Sequence, residues 1–123
     1  MQNTKKKKSK IKIHMDLCAV EEIKSSDYLT TYSDYPEVVG VFTIRNAETG
    51  VIHVGQSVSA YECLAKHLRR KEGWATGIKI LNEGDEAYVR VIPFQRDRRT
   101  GFNGPALDAL ELEWVLKLGA FRI

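Results

Sequence analysis

A chain of 123 residues can bury one hydrophobic core but not two, so a single domain is expected. With 43% apolar and 28% charged residues it has the composition of a water-soluble globular protein. No apolar run approaches the ~20 residues a membrane-spanning helix needs, and the start MQNTKKKKSK has no apolar stretch of the kind a secretory leader carries, so no membrane contact and a cytoplasmic address are expected.

Two cysteines, Cys18 and Cys63, are too few for a disulfide framework and lack metal-site spacing. The formal charge of +3 is unevenly spread. Six lysines (Lys5, Lys6, Lys7, Lys8, Lys10 and Lys12) fall in the first twelve residues, which contain no acid, so the remaining residues carry a net −3. A block of like charges repels itself and is suited either to solubility or to nonspecific phosphate contact. Residues 1–12 therefore read as a flexible lysine-rich tail and 13–123 as the folded body.

Along the chain, the alternating IKIHMDLC over 11–18 predicts a strand, with Ile11, Ile13, Met15 and Leu17 on one face. A short helix followed by a tyrosine-rich loop (Tyr28, Tyr32, Tyr35) is expected up to Pro36. The runs VVGVFTIRN and GVIHVGQSV are rich in β-branched residues and flank the polar AETG, which predicts a β-hairpin. Ser59 followed three residues later by Glu62 has the spacing of a reciprocal cap and predicts a helix ending at Gly73, with Tyr61, Leu64, Ala65 and Leu68 inward. A shorter helix is expected in WATGIKILN, and a third core strand in EAYVRVIPF. After the basic loop QRDRRTGFNG, Pro105 is placed to open a last helix, PALDALELEWVLKLGAF.

The last helix contains a conflict. Leu107, Leu110, Trp114, Val115 and Leu118 recur at the spacing of a buried face, and Glu111 lies in the middle of that face. An unpaired carboxylate buried there would cost several kcal/mol, so Glu111 must meet an arginine, a metal ion or a hydrogen-bond donor. A second peculiarity is His53, an imidazole inside an apolar strand, followed by Gly55-Gln56-Ser57 and by His67 on the next helix.

The order of these parts, from Val38 to Phe121, resembles the GIY-YIG nuclease superfamily. Where that family carries its two tripeptides on a hairpin, this chain has Gly40-Val41-Phe42 and His53-Val54-Gly55; Ser57 matches the serine that follows. Cys63 and His67 stand at the helix positions of an arginine and a histidine or tyrosine. Glu111 and Trp114 match the metal-binding glutamate and the aromatic three residues on.

The resemblance implies an α+β domain: a small, mostly antiparallel three-stranded sheet flanked by helices, with an N-terminal extension able to add a strand. It also implies DNA phosphodiester hydrolysis with Mg2+ or Mn2+ held by Glu111. The chemistry needs a base for water, a cation against developing charge and a Lewis acid.

Here Phe42 and His53 replace the family tyrosines, and Cys63 replaces the arginine. The residues expected to make the site are His53 as base or ligand, His67, Glu111, and Arg70, whose long side chain lies along nearly the same helical face as His67 and can partly replace the missing guanidinium. Lys66, Arg69, Arg96, Arg98, Arg99 and the tail lysines Lys5, Lys6, Lys7 and Lys8 are candidate DNA contacts. One of the loop tyrosines can reach the space left by Phe42, and Phe102 can stack on a base or anchor its loop. Two other classes stay open: a catalytically inactive nucleic-acid-binding fold, and a protein-interaction module that uses the acidic body.

Overall fold

The computed structural model describes residues 21–73, 76–94 and 104–123. The strand expected over 11–18, the whole lysine tail, Trp74, the loop arginines Arg96, Arg98 and Arg99, and Phe102 lie outside these residues.

The hairpin forms where the β-branched runs place it. Strand β2 (Gly40–Asn46) pairs antiparallel with β3 (Ile52–Ser57), and the register sets Phe42 opposite Gly55 and Ile44 opposite His53. Asn46 organises the connection: its side-chain oxygen accepts from the N–H groups of Glu48 and Thr49 at 2.8 and 3.1 Å. Gly50 then turns the chain back at φ +77°, a conformation that suits glycine.

The sheet is larger than the expected three strands. β1 (Ile23–Lys24) pairs antiparallel with β4 (Ala87–Pro93), β4 with β2, and β5 (Phe121–Arg122) lies parallel to β3, giving the order β1-β4-β2-β3-β5. The two added strands have two residues each and are pinned by neighbours distant in sequence, so no local periodicity announces them. β5 covers only His53 and Val54, and the outer edge of β3 beyond Val54 is left without a strand among the described residues.

Three helices flank the sheet. On one face, α1 (Ser25–Thr31) and α2 (Ala60–Arg70) pack Tyr28, Leu64, Ala65 and Leu68 against Phe42, Ile44 and Val89. On the other, α3 (Gly104–Leu118) sets Leu107 and Trp114 against Val41, Val54 and Ile92. No helix of the described residues is long and apolar enough to cross a membrane.

α2 begins where the Ser59–Glu62 spacing places it, but the reciprocal cap does not form. The Ser59 side chain makes no capping bond, and the N–H of Glu62 donates instead to the Glu37 carboxylate at 3.0 Å. The helix ends at Arg70, with Lys71 in the left-handed region at φ 62° and its N–H bonded to the His67 carbonyl.

The helix expected in WATGIKILN is corrected: its described part, 76–82, is a turn followed by extended chain. Gly77 sits at φ +71°, Glu72 and Lys79 form an isolated bridge, and the N–H groups of Ile80 and Leu81 both donate to the Lys71 carbonyl. Ile80 and Leu81 are both buried, held there by these backbone bonds to Lys71 rather than by a helical turn.

The loop tyrosines also differ from expectation. Tyr28 joins the core that holds Phe42, but none of Tyr28, Tyr32 and Tyr35 lines the cleft that Phe42 borders. Tyr35 stacks on Tyr61 with ring centroids 5.0 Å apart, and Tyr28 stacks on Tyr32 at 5.6 Å. The buried Tyr28 hydroxyl donates to the Tyr61 carbonyl at 2.6 Å, and burial holds its pKa well above the usual range. Tyr28→Phe removes that bond while keeping the ring, so a loss of about 1 kcal/mol is expected in urea unfolding, without change in the slope.

Candidate active site

The uncovered outer edge of β3 gives the two faces of the sheet a common opening. A cleft of about 370 Å³ lies there, lined by Phe42, Gly55, Gln56, Cys63, His67, Glu111, Arg122 and Ile123. Each element delivers its share for a local reason. Gly55 leaves room for the Phe42 ring, because a Cβ on Gly55 would lie only 2.6 Å from Phe42 Cζ. Cys63 and His67 are one turn apart on α2, on the side facing Phe42, whose ring centroid is 5.3 Å from the imidazole. Gln56, next along β3, belongs to the opposite face and meets α3.

His67 is buried, at 4% exposure, and has a defined tautomer. Its Nδ1 lies 2.9 Å from the Cys63 carbonyl oxygen. A carbonyl can only accept, so Nδ1 carries the proton and Nε2 is left with the lone pair. Burial, reinforced by the charge of Arg70, pulls the pKa of His67 below 6.5, and the ring is neutral at physiological pH. Burial also raises the pKa of the Cys63 thiol, which is therefore a weak nucleophile.

Glu111 is held at the far side of the cleft, its side chain 5% exposed. Its Oε1 accepts from Gln56 Nε2 at 2.7 Å and from Arg122 Nη2 at 2.7 Å. Oε2 has no hydrogen bond to another described residue. Asp108, one turn earlier on α3, accepts a short hydrogen bond from Gln56 and stands 3.4 Å from Arg122 Nη2. Two carboxylates, one guanidinium and one amide thus form a connected polar group at the mouth.

The structure brings only part of the expected set together. His67 and Glu111 share the cleft. His53 does not line it; buried between strands, it packs on the Phe121 ring at 5.8 Å between centroids, and its Nδ1 has no partner among the described residues. The reason is β5, which covers β3 at that residue. Arg70 and Lys66 are exposed on α2 and do not line the cleft. Arg69 is drawn to the tyrosine stack, donating to Tyr32 Oη at 2.7 Å. The residues that sequence reasoning missed are Gln56, Asp108 and Arg122, all of ordinary surface type and joined to the site only through the tertiary fold.

Both buried histidines have pKa values lowered by burial. In the window just below 6.5 the unfolded chain binds more protons than the folded one, so stability rises with pH there and falls on acidification. Thermal melts from pH 7.5 to 5 are expected to show that fall, with a flatter profile for His67→Gln. An unchanged profile would place the ring in solvent.

Scans of family models, curated proteins and solved structures found no match to this chain.

Proposed function

We propose that the protein is a divergent GIY-YIG-like endonuclease that hydrolyses DNA phosphodiester bonds with a divalent metal ion. The observation that carries this reading is the convergence of Glu111 and His67, from helices on opposite faces of the sheet, in one cleft at the uncovered edge of β3. The order of the three longer strands supports it, since β4-β2-β3 places the hairpin and the third strand as in that family's sheet, with α2 following the hairpin and α3 bearing the acid.

The donor set suits a hard, oxygen-seeking ion. No group of three or more His, Cys, Asp or Glu side chains among the described residues is disposed to hold a metal by itself. Magnesium and manganese are commonly held by one or two carboxylates, with waters and substrate phosphate oxygens completing the shell, and Glu111, whose Oε2 has no partner among the described residues, offers that much with neighbouring Asp108. Such an ion, when bound, supplies Lewis acidity to a phosphate oxygen.

The chain's own groups do the rest. His67, neutral and with its lone pair on Nε2, accepts the proton of the attacking water. The carbonyl of Cys63 fixes the ring's tautomer, and Gln56 orients the Glu111 carboxylate. The lysines of the tail, Lys5 to Lys8, and Arg96, Arg98 and Arg99 hold the DNA backbone nonspecifically, in an intracellular setting.

The test is nicking of supercoiled circular DNA by the full chain with magnesium, manganese or a chelator. Divalent-dependent nicking is expected; no nicking with any divalent ion would overturn the reading. The ion pair of Glu111 with Arg122 favours one other reading, a catalytically inactive nucleic-acid-binding fold in which the pair is structural. That reading predicts salt-sensitive DNA binding without cleavage.

A further inference from the structure

The cleft's wall contains one permanent cation among the described residues, Arg122 on β5. α2 presents a thiol and a neutral imidazole there, so no other positive group of the described residues lines the opening. The Arg122 side chain is 47% exposed, and both of its ion pairs, to Glu111 and to Asp108, use Nη2. Nε and Nη1 have no partner among the described residues, but they lie on opposite sides of the guanidinium, so each of its two-donor edges includes the paired Nη2 and becomes fully available to a second anion only when the carboxylates release it. Two parallel N–H donors suit a phosphate better than any other common anion of the cell except a carboxylate.

The local charge decides when that edge is usable. Glu111, Asp108 and Arg122 together carry one excess negative charge, and a phosphodiester approaching them is repelled. A divalent cation on the carboxylates would turn the balance to one excess positive charge.

We infer that Arg122 is the phosphate-binding residue of this cleft, and that its contact with a phosphodiester is conditional on a divalent cation relieving the two carboxylates it now pairs. This rests on the proposed nuclease reading for the identity of the substrate and adds the residue that holds it. Arg122 binds substrate; Gln56 and Asp108 position it.

The test is the affinity of the full chain for a labelled DNA duplex, by fluorescence anisotropy over a range of NaCl, with manganese and with chelator, duplex integrity being checked on gels. Manganese is expected to tighten binding by about tenfold and to steepen the log–log salt dependence by about one unit, as for one added phosphate contact. Arg122→Gln should abolish that increment, measured for each protein against its own affinity in chelator, which the unaltered lysine tail dominates. Arg122→Lys keeps the charge and the ion pairs, and with them the fold; it should retain the slope but lose several-fold in affinity.

A full manganese increment in Arg122→Gln, or wild-type affinity in Arg122→Lys, would overturn the inference. The two proposals fail separately. An increment that depends on Arg122 in a protein that never nicks DNA would remove the nuclease and leave the phosphate site. Nicking with an increment indifferent to Arg122 would do the reverse.

Discussion

Glu111→Gln is expected to lose manganese-dependent nicking by at least about a hundredfold while the protein remains folded. Each 1.36 kcal/mol removed from transition-state stabilisation is tenfold in rate, and a divalent ion contributes several kcal/mol to a phosphoryl transition state, so losing the carboxylate that holds it has an effect of about that size. Stability should move far less. Glutamine keeps an acceptor for Gln56 and Arg122 at the same place, and Arg122, 47% exposed, is rehydrated rather than stranded when its partner's charge is removed. A change under about 1 kcal/mol is expected in urea unfolding.

Glu111→Leu sharpens the contrast, because it completes the apolar face made by Leu107 and Trp114. Buried ion pairs replaced by apolar residues often leave stability unchanged or improved. A leucine variant as stable as the wild type and inactive would show that this acid serves chemistry at no benefit to the fold. Nicking that survives in either variant would remove Glu111 from the mechanism.

Trp114→Ala is expected to give the largest loss of stability, about 3–5 kcal/mol, as for other large aromatic deletions from close-packed cores. The ring is 1% exposed and is the largest side chain between α3 and the sheet, against Val41, Val54 and Ile92. No other described helix covers that face, so a cavity there has little to collapse into it. Arg90 and Lys117 also place their charges over the ring, at 5.3 and 5.8 Å from its centroid.

Trp114→Phe should recover most of the loss. The indole Nε1 has no hydrogen-bond partner among the described residues, so phenylalanine gives up volume and no bond. Urea midpoints for the two variants check this; a cost below about 1 kcal/mol for alanine would mean that α3 is not anchored as described.

These two residues were legible before any coordinates, for opposite reasons. Trp114 fits the helical stripe, and Glu111 violates it, and both signals lie within a few turns of one helix. The β2–β3 hairpin and α2 were equally local, marked by β-branched runs around a polar turn and by an apolar stripe.

What stayed hidden depends on distance along the chain. Gln56 meets Asp108 and Glu111 across separations of 52 and 55 residues, and nothing in its neighbourhood distinguishes it from a solvated strand residue. Arg122 is in a two-residue strand whose parallel pairing with β3 no local pattern announces. Missing that strand also misplaced His53, an imidazole expected in the site but covered by the Phe121 ring of β5. The segment 76–82 misled in another way, since its apolar residues mimic helical spacing while backbone bonds to Lys71 and Gly73 hold it extended.

Manganese binding followed by electron paramagnetic resonance, in the wild type and in Glu111→Gln, tests most directly whether the buried acid of α3 is there to hold a cation. One manganese ion bound by the wild type and lost in the variant is the result this account predicts. Equal uptake by both proteins, or none by either, would contradict it.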